Sequence, residues 1–245
     1  MNKLKRFYAK QRAINGSFTL SGQEFVHAKS VMRLKEYDQI IICCGDGIDY
    51  ICEISQINEN NLICRILSNT KNMCDSTISL TLYQAQVKAD KIELITQKVS
   101  EIGVSKIVPF TSDFCVVHGE LSNQKMERLN KIAVESAKQC GRSKPLEIDN
   151  VKTFDAILNE LKTYELVLFA YENAKINKIS QILGSYKNIA IVIGSEGGFS
   201  DKEYKNLCSL PNVCCVTLGN RILRAETASI VCCALAMERF EYVWV

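Results

Sequence analysis

A glycine-rich bend, "GSEGGFSDKE" at residues 194–203, holds the residues best suited to chemistry in this chain. Three of the 12 glycines, Gly194, Gly197 and Gly198, surround the carboxylate of Glu196. Glycine permits positive φ angles and lets a ligand approach the backbone closely. The bend is therefore either a tight turn with a structural role or a place where a ligand binds to exposed backbone.

Two other segments, "FAYEN" and "LGNRILRAETA", also follow apolar strand patterns, as the glycine bend does. Ligands of open α/β sheets bind outside the carboxyl ends of the strands, so we expect the three segments to form one pocket. Their backbone N–H and C=O groups are suited to hydrogen-bonding a nucleoside or an amino acid moiety. The sequence thus predicts an α/β domain that binds a small polar ligand.

Motifs of several other chemistries are absent from the sequence. There is no Walker A loop or nucleophile elbow, and the glycine bend comes too late for a dinucleotide fingerprint. The two histidines, His27 and His118, are remote in sequence from the three segments, so we do not expect Ser-His-Asp catalysis. The 12 cysteines lack zinc-site spacing, so we expect no metal and interpret them as apolar packing residues.

Strand patterns that alternate with helix patterns after residue 72 predict the scaffold. They are "ISLTLYQA", "SKIVPF", "ELVLFAY", "NIAIVIG" and "VCCVTLG", and the last helix is "ETASIVCCALAMERF". Such alternation predicts a parallel sheet covered by helices on both faces. We expect Asp90 to cap the first helix with support from Glu93, Gly103 to end it, and Ser200 and Glu203 to form a capping box after the bend.

The N-terminal part contains short strand patterns separated by turns, which predict a small β-barrel. We place the domain boundary in the polar segment 68–77, giving a barrel domain at 1–72 and an α/β domain at 73–245. Residues 1–35 contain eight basic residues and one acid, whereas the whole chain carries a net charge of +3. This concentration of charge suggests nucleic acid as a partner, with a solvated basic arm as the alternative.

The sequence has no run of about twenty apolar residues, so we predict no membrane span. The basic N-terminus lacks the apolar region of a secretory signal. We therefore expect a cytoplasmic protein whose cysteines are reduced.

The sequence resembles the RsmE family of ribosomal RNA methyltransferases, of the SPOUT class. The matching segments are "RF" at residues 6–7, "HAKSVMR", "KIELITQKVSEIGVSKIVPF", "ERLNKIAVESAKQCGRSKP", "IGSEGGFSDKE" and "LGNRILRAETA". They follow the order of the family and cover nearly the whole chain. The resemblance implies a SPOUT-type α/β domain with a parallel sheet and a C-terminal trefoil knot, preceded by a PUA-like RNA-binding barrel.

The resemblance also implies an activity, which is methyl transfer from S-adenosylmethionine to N3 of a uridine in 16S rRNA. The implied substrate is rRNA within the assembled small ribosomal subunit, and the implied enzyme is a homodimer with its active site near the subunit interface. The positions carried over to the cofactor pocket are Ala170, Tyr171, Gly194, Gly198, Leu218, Gly219, Ile222 and Leu223.

Three side chains are candidates for catalysis. Uridine N3 must lose its proton, and an arginine near the uracil carbonyl oxygens would stabilise the negative charge, for which Arg224 and Arg6 are candidates. Glu226 would position that arginine or relay the proton, or it is simply an acid at a helix start. Glu196 would contact the cofactor amine or the RNA, or it accepts N–H bonds within the bend.

Basic side chains are predicted to hold rRNA phosphates, which sets affinity and its salt dependence. They are Arg6, Arg12, Lys29, Arg33 and Lys35, with Lys138 and Arg142 extending the surface. Asp113 and Phe114 stand in a segment where the family often has an arginine, Ser195 replaces a usual proline, and Ala225 replaces a frequent threonine.

Three questions of function and assembly stay open at this stage. The chain could instead methylate tRNA or 23S rRNA, or bind RNA without catalysis. The last helix is apolar nearly all round, so it lies either at a subunit interface or wholly within its own domain.

Overall fold

The computed structural model describes residues 4–172 and 177–241, apart from the side chain of Ala89. Contacts between Cα atoms divide the chain into two units, Met1–Asp75 with Ala137–Pro145, and Ser76–Ser136 with Leu146–Val245. The segment 137–145 therefore joins the first unit although it follows part of the second in sequence. The predicted boundary between residues 72 and 73 stays a prediction.

The first unit contains a five-stranded sheet, in which the strand order is β1-β3-β4-β5-β2. Its strands are β1 Lys5–Tyr8, β2 Ser17–Ser21, β3 Gln39–Cys43, β4 Ile48–Ile57 and β5 Asn61–Lys71. β1 is parallel to β3, and the other pairs are antiparallel. The register between β4 and β5 shifts twice, between Ile51 and Cys52 and between Ile54 and Gln56. The predicted short strands are confirmed, whereas closure into a barrel stays a prediction.

One short helix follows β2. Helix α1 spans Gly22–Val26 and continues as a π-helical turn over His27–Val31. Phe25 is the buried residue of α1, and it joins the apolar core between the strands. The largest fully buried side chains of that core are Phe7, Phe18, Leu20, Ile40, Ile42, Ile54 and Leu62.

The second unit contains a seven-stranded sheet in which every pair of strands is parallel. Its strands are β6 Ser79–Ala85, β7 Lys106–Thr111, β8 Glu147–Ile148, β9 Lys152–Thr153, β10 Leu166–Ala170, β11 Asn188–Ile193 and β12 Val213–Val216. The order is β12-β10-β11-β6-β7-β8, and β9 also pairs with β7. The predicted parallel sheet is confirmed.

Helices alternate with these strands and cover both faces of the sheet. They are α2 Ala89–Ile102, α3 Asn123–Cys140, α4 Phe154–Leu161, α5 Asp201–Cys208 and α6 Ala225–Phe240, with a 3-10 turn at Ile179–Gln181. Successive residues of β10 enter different clusters, Leu168 with residues of α2 and α6, and Phe169 with residues of α4 and α5. Strands buried on both faces need apolar residues at nearly every position, which explains their unbroken apolar runs.

The helix ends test the predicted capping residues. Ser200 and Glu203 form the expected capping box at α5, and Gly103 ends α2 with a left-handed φ of 113°. The prediction for Asp90 is wrong, because α2 already begins at Ala89 and Lys88 occupies the cap without a side-chain bond. Asp90 lies inside the first turn, where its charge still favours the helix.

Candidate functional site

A cavity of about 1070 Å³ lies among the segments that follow β10, β11 and β12 in the second unit. These strands are parallel neighbours, β12 beside β10 and β10 beside β11, so their carboxyl ends share one edge of the sheet. The order of the strands changes direction here, which is where open α/β sheets bind ligands. Every position predicted to hold the cofactor lines this cavity, namely Ala170, Tyr171, Gly194, Glu196, Gly198, Leu218, Gly219, Ile222 and Leu223.

The glycine bend is a tight turn, closed by a hydrogen bond of 3.1 Å from Gly198 N to the Ser195 carbonyl oxygen. A Cβ atom added to Gly194 would lie 2.8 Å from the Phe199 ring, and one added to Gly197 would lie 2.8 Å from Phe114 Cβ. These two glycines are therefore needed for close packing within the protein.

Gly198 differs from the other two glycines of the bend. Its φ is +72°, and the nearest atom to an added Cβ would be Glu172 Oε1 at 3.9 Å. Gly198 and Glu172 both line the cavity, so the space beside this glycine is open to a ligand. The bend is thus both a structural turn and an exposed stretch of backbone.

Lys91 lines the cavity, although it is not among the residues predicted from the sequence. Its Nζ lies 2.8 Å from Glu196 Oε1 and 3.4 Å from Glu226 Oε2. The hydrogen bond to Glu196 raises the pKa of Lys91. For Glu196, burial opposes ionisation, but the bond from Lys91 outweighs it and lowers the pKa of the carboxyl. One lysine thus contacts two carboxylates, those of Glu196 and Glu226.

Lys91 could have been found from its place in the chain. It lies three residues into α2, which follows β6, and β6 is the neighbour of β11 in the sheet. A fourth strand end therefore contributes to the same edge. The segment "QVKADK" after β6 contains no glycine, so it lacks the feature that marked the other bends.

Glu226 is the second residue of α6 and is not among the residues that line the cavity. Its Oε2 atom is buried without a hydrogen bond in the part of the chain that the structure describes. The 3.4 Å to Lys91 is an ion-pair distance, longer than a good hydrogen bond. This placement agrees with an acid at a helix start.

Arg224 lines the cavity and is exposed. It precedes α6, and its carbonyl oxygen accepts a hydrogen bond from Ala228 N at 2.8 Å. Within residues 4–172 and 177–241, no acid lies at ion-pair distance from its guanidinium. Its positive charge is therefore available to a ligand.

Arg6, the other predicted catalytic arginine, lies in the first unit. Its NH1 and NH2 atoms donate to the two carboxylate oxygens of Asp49 at 2.5 and 2.7 Å, and NH1 also contacts Cys43 Sγ at 2.7 Å. Burial opposes ionisation of both partners, but their mutual bonds raise the pKa of Arg6 and lower that of Asp49. Arg6 thus has a structural role within this unit, and its catalytic role stays a prediction.

The predicted RNA contacts divide into two groups. Four of them are exposed on the first unit, namely Arg12, Lys29, Arg33 and Lys35. Lys138 Nζ instead bonds Glu24 Oε1 at 2.6 Å, and its side chain is only 9% exposed. Arg142 is 4% exposed. The prediction that Lys138 and Arg142 extend the basic surface is corrected, because their charges are not presented to solvent.

Metal-ligand clusters and membrane-spanning helices are both absent from the part of the chain that the structure describes. Across residues 4–172 and 177–241, no group of three His, Cys, Asp or Glu side chains is arranged to hold a metal ion. In the same residues, no helix has both the length and the apolar character needed to cross a membrane.

The chain is similar to known protein families and to individual proteins. The RNA methyltransferase domain family matches residues 74–237, and the RNA methyltransferase PUA domain family matches residues 20–67. Ribosomal RNA small subunit methyltransferase E of Rickettsia conorii is 34% identical over 95% of this chain and 94% of its own length. The protein of the same name from Bacillus subtilis is 32% identical over 87% of each chain.

Solved structures show the same fold over nearly the whole length. A Legionella pneumophila methyltransferase, solved with bound cofactor SAM, is 26% identical with a TM-score of 0.83 and covers 96% of this chain and 98% of its own. Ribosomal RNA small subunit methyltransferase E from Neisseria gonorrhoeae, bound to S-adenosyl methionine, has a TM-score of 0.86. It is 23% identical, covers 97% of this chain and 98% of its own, and shows the fold alone.

Proposed function

The chain belongs to the RsmE family, the ribosomal RNA small subunit methyltransferases E, and we propose that it methylates N3 of a uridine in 16S rRNA with S-adenosylmethionine as the donor. Membership follows from the match to the RNA methyltransferase domain over residues 74–237 and from the 34% identity over 95% of the chain. The observation that carries the proposal is the cavity, because all the predicted cofactor positions line it.

The residues of the cavity fit this cofactor. The positions beside Gly198 and Gly219 are open, and both glycines have positive φ angles, so backbone groups can meet a nucleoside directly. The carboxylates of Glu172 and Glu196 line the cavity and are suited to a positively charged amine. S-adenosylmethionine supplies the methyl group as a sulfonium, so transfer is a direct displacement that depends on alignment.

The side chains of this chain act on the uridine. We assign Arg224 to a uracil carbonyl oxygen, where its guanidinium stabilises the charge that develops as N3 loses its proton. Arg224 remains protonated, so it cannot be the base. The proton leaves to solvent or to Glu226, whose Oε2 has no hydrogen bond among the described residues. Lys91 lines the cavity and contacts Glu226, so it links that carboxylate to the site.

The two predicted domains have different tasks in this proposal. We assign residues 1–72 to a PUA-like barrel that binds rRNA, and residues 73–245 to a SPOUT domain with a C-terminal trefoil knot. The exposed basic side chains Arg12, Lys29, Arg33 and Lys35 support the first task. They contact phosphates, so they contribute affinity rather than sequence specificity. The substrate is 16S rRNA within the assembled small subunit, in the cytoplasm.

A homodimer completes the proposal. Ile222 is 85% exposed and Leu235 is 42% exposed, although both are large apolar residues that line the cavity. Leu235 lies on the face of α6 that also exposes Thr227 and Ala234. A second copy of the chain would cover these apolar side chains and enclose the cavity, as an apolar helix surface requires.

The test uses small ribosomal subunits from a strain that lacks this protein. The purified protein and labelled S-adenosylmethionine should restore one methyl group, which mass mapping of nucleosides should place on uridine N3 in 16S rRNA. Methylation of tRNA or 23S rRNA instead would support the alternative substrates. An inert protein that binds RNA but gives no calorimetric signal with S-adenosylmethionine would refute the enzymatic function.

A further inference from the structure

The segment that follows β7 exposes an aromatic side chain on a fixed backbone. Phe114 is 50% exposed, whereas the next residue, Cys115, is 5% exposed and anchors the segment. Ser112 N donates to Cys115 Sγ at 3.3 Å, and Cys115 N donates to the Ser112 carbonyl oxygen at 3.1 Å. The backbone on both sides of Phe114 is therefore held in place.

The same segment is bonded to the glycine bend and the start of α5. The Phe114 carbonyl oxygen accepts a hydrogen bond of 3.1 Å from Ser195 Oγ. Asp113 N donates to Glu203 Oε1 at 2.9 Å, and Ser200 Oγ donates to Asp113 Oδ2 at 2.5 Å. Three hydrogen bonds thus hold the segment that carries this half-exposed ring.

Phe114 lies directly beside the rim of the cavity. Ser195, Glu196 and Gly198 line the cavity, and Gly197, which stands between them, packs so tightly on Phe114 that no Cβ fits. The ring itself is not part of the lining. A base that reacts with the cofactor must enter the cavity, so the neighbouring nucleotide remains outside, on the surface that Phe114 occupies.

We propose that Phe114 stacks on the nucleobase adjacent to the target uridine and thereby positions the RNA strand at the cavity. This inference rests on the proposed function. Proteins recognise unpaired RNA by stacking splayed bases on aromatic side chains, which tolerates any base because each has a π face.

The size of the exposed surface favours RNA over a protein partner. Phe114 and Val116, which is 76% exposed, are the large exposed apolar side chains of the described segment 112–121. Two side chains expose far less than the roughly 1,000 Å² that a stable protein interface buries. A single fixed ring is sufficient for one base.

The test compares Phe114→Ala, Phe114→Leu and Phe114→Tyr, with Val116→Ala as the matched control on the same segment. The probe is a single-stranded RNA oligonucleotide with one uridine flanked by a fluorescent purine analogue whose emission is quenched by stacking. Alanine and leucine should both weaken RNA affinity about 5- to 100-fold and remove the quenching. Tyrosine should retain both, and Val116→Ala should behave as the wild type.

Activity measurements separate this proposal from the function on which it rests. On ribosomal substrate, Phe114→Ala should raise KM more than it lowers kcat, while its calorimetric affinity for S-adenosylmethionine stays at the wild-type value. A wild-type protein that methylates no RNA would refute the proposed methyltransferase function. The fluorescence of the variants would still test whether Phe114 stacks on a base.

Three results would overturn the stacking assignment. The first is unchanged quenching in Phe114→Ala. The second is wild-type affinity in Phe114→Leu, which would mean that apolar area rather than an aromatic face is needed. The third is a change of sedimentation in Phe114→Ala at unchanged RNA affinity, which would place the ring at an interface between chains.

Discussion

Replacement of Gly198 separates the structural role of the bend from its role in binding. Gly198 has a φ of +72°, and an L residue in this left-handed region costs about 1–2 kcal/mol. The nearest atom to an added Cβ is Glu172 Oε1 at 3.9 Å, so the side chain meets no clash inside the protein. We therefore expect Gly198→Ala to fold, with a melting temperature lowered by about 2–8 °C.

The effect on the cofactor should be larger than the effect on stability. The added Cβ of Gly198→Ala occupies space that opens to the cavity, and the branched side chain of Gly198→Val fills more of it. Loss of one or two backbone contacts should cost about 1–3 kcal/mol in total. The affinity of Gly198→Ala for the cofactor should then be about 5- to 150-fold weaker than that of the wild type. Valine should abolish detectable binding.

Isothermal calorimetry with S-adenosylmethionine measures this difference, alongside thermal melting. Gly119→Ala is the matched control, because Gly119 lies in the same unit, has a φ of +93° and has no atom within 4 Å of an added Cβ. It should lose similar stability and keep its affinity for the cofactor. Wild-type affinity in a folded Gly198→Val variant would show that the cofactor binds elsewhere.

Four further changes test other parts of the site and the fold. Arg224→Ala should slow single-turnover methyl transfer about a hundredfold or more, with partial rescue at high pH, where more uridine is already ionised; a poorly folded variant without rescue would contradict the assignment. Lys91→Met should raise the pKa of Glu196, because the bond from Lys91 lowers it, so the acidic limb of the pH–rate profile should move to higher pH. Burial opposes ionisation of Asp149, but Lys106 and Lys152 lower its pKa from 3.8 to about 2. Asp149→Asn should therefore remove about 2 kcal/mol of stability. In denaturant titrations, the difference in stability from the wild type should be full above pH 3.8 and vanish as the pH falls through about 2. Leu235→Asp should produce monomers in sedimentation experiments, whereas the exposed polar change Lys202→Gln should not.

The parallel sheet and the cavity could be predicted because both depend on local patterns. "NIAIVI" is apolar at almost every position because its strand is buried on both faces. The cavity follows from chain order and sheet geometry, since the carboxyl ends of parallel strands meet at one edge. Glycine and capping signals then mark which strand ends have exposed backbone.

The ion pairs of Lys91 with Glu196 and of Lys138 with Glu24 could not be predicted, because each joins residues that are distant in sequence. Lys91 meets Glu196 only when β6 pairs with β11, and nothing near Lys91 in the sequence indicates that partner. Lys138 was misread as a surface charge for the same reason, since Glu24 lies 114 residues away. A charged residue at a helix end is therefore exposed only where the fold places no buried partner beside it.

The three glycines of the bend are needed for three different reasons. Together they connect the cofactor cavity with the segment that carries Phe114. Gly194 leaves space for the Phe199 ring, Gly197 leaves space for Phe114, and Gly198 provides a left-handed turn that opens to the cavity. A bulkier residue at Gly197 would displace the segment that holds Phe114, whereas one at Gly198 would enter the cavity. The same short turn therefore sets the distance between the cofactor cavity and the exposed ring, so cofactor alignment and RNA positioning depend on one piece of backbone.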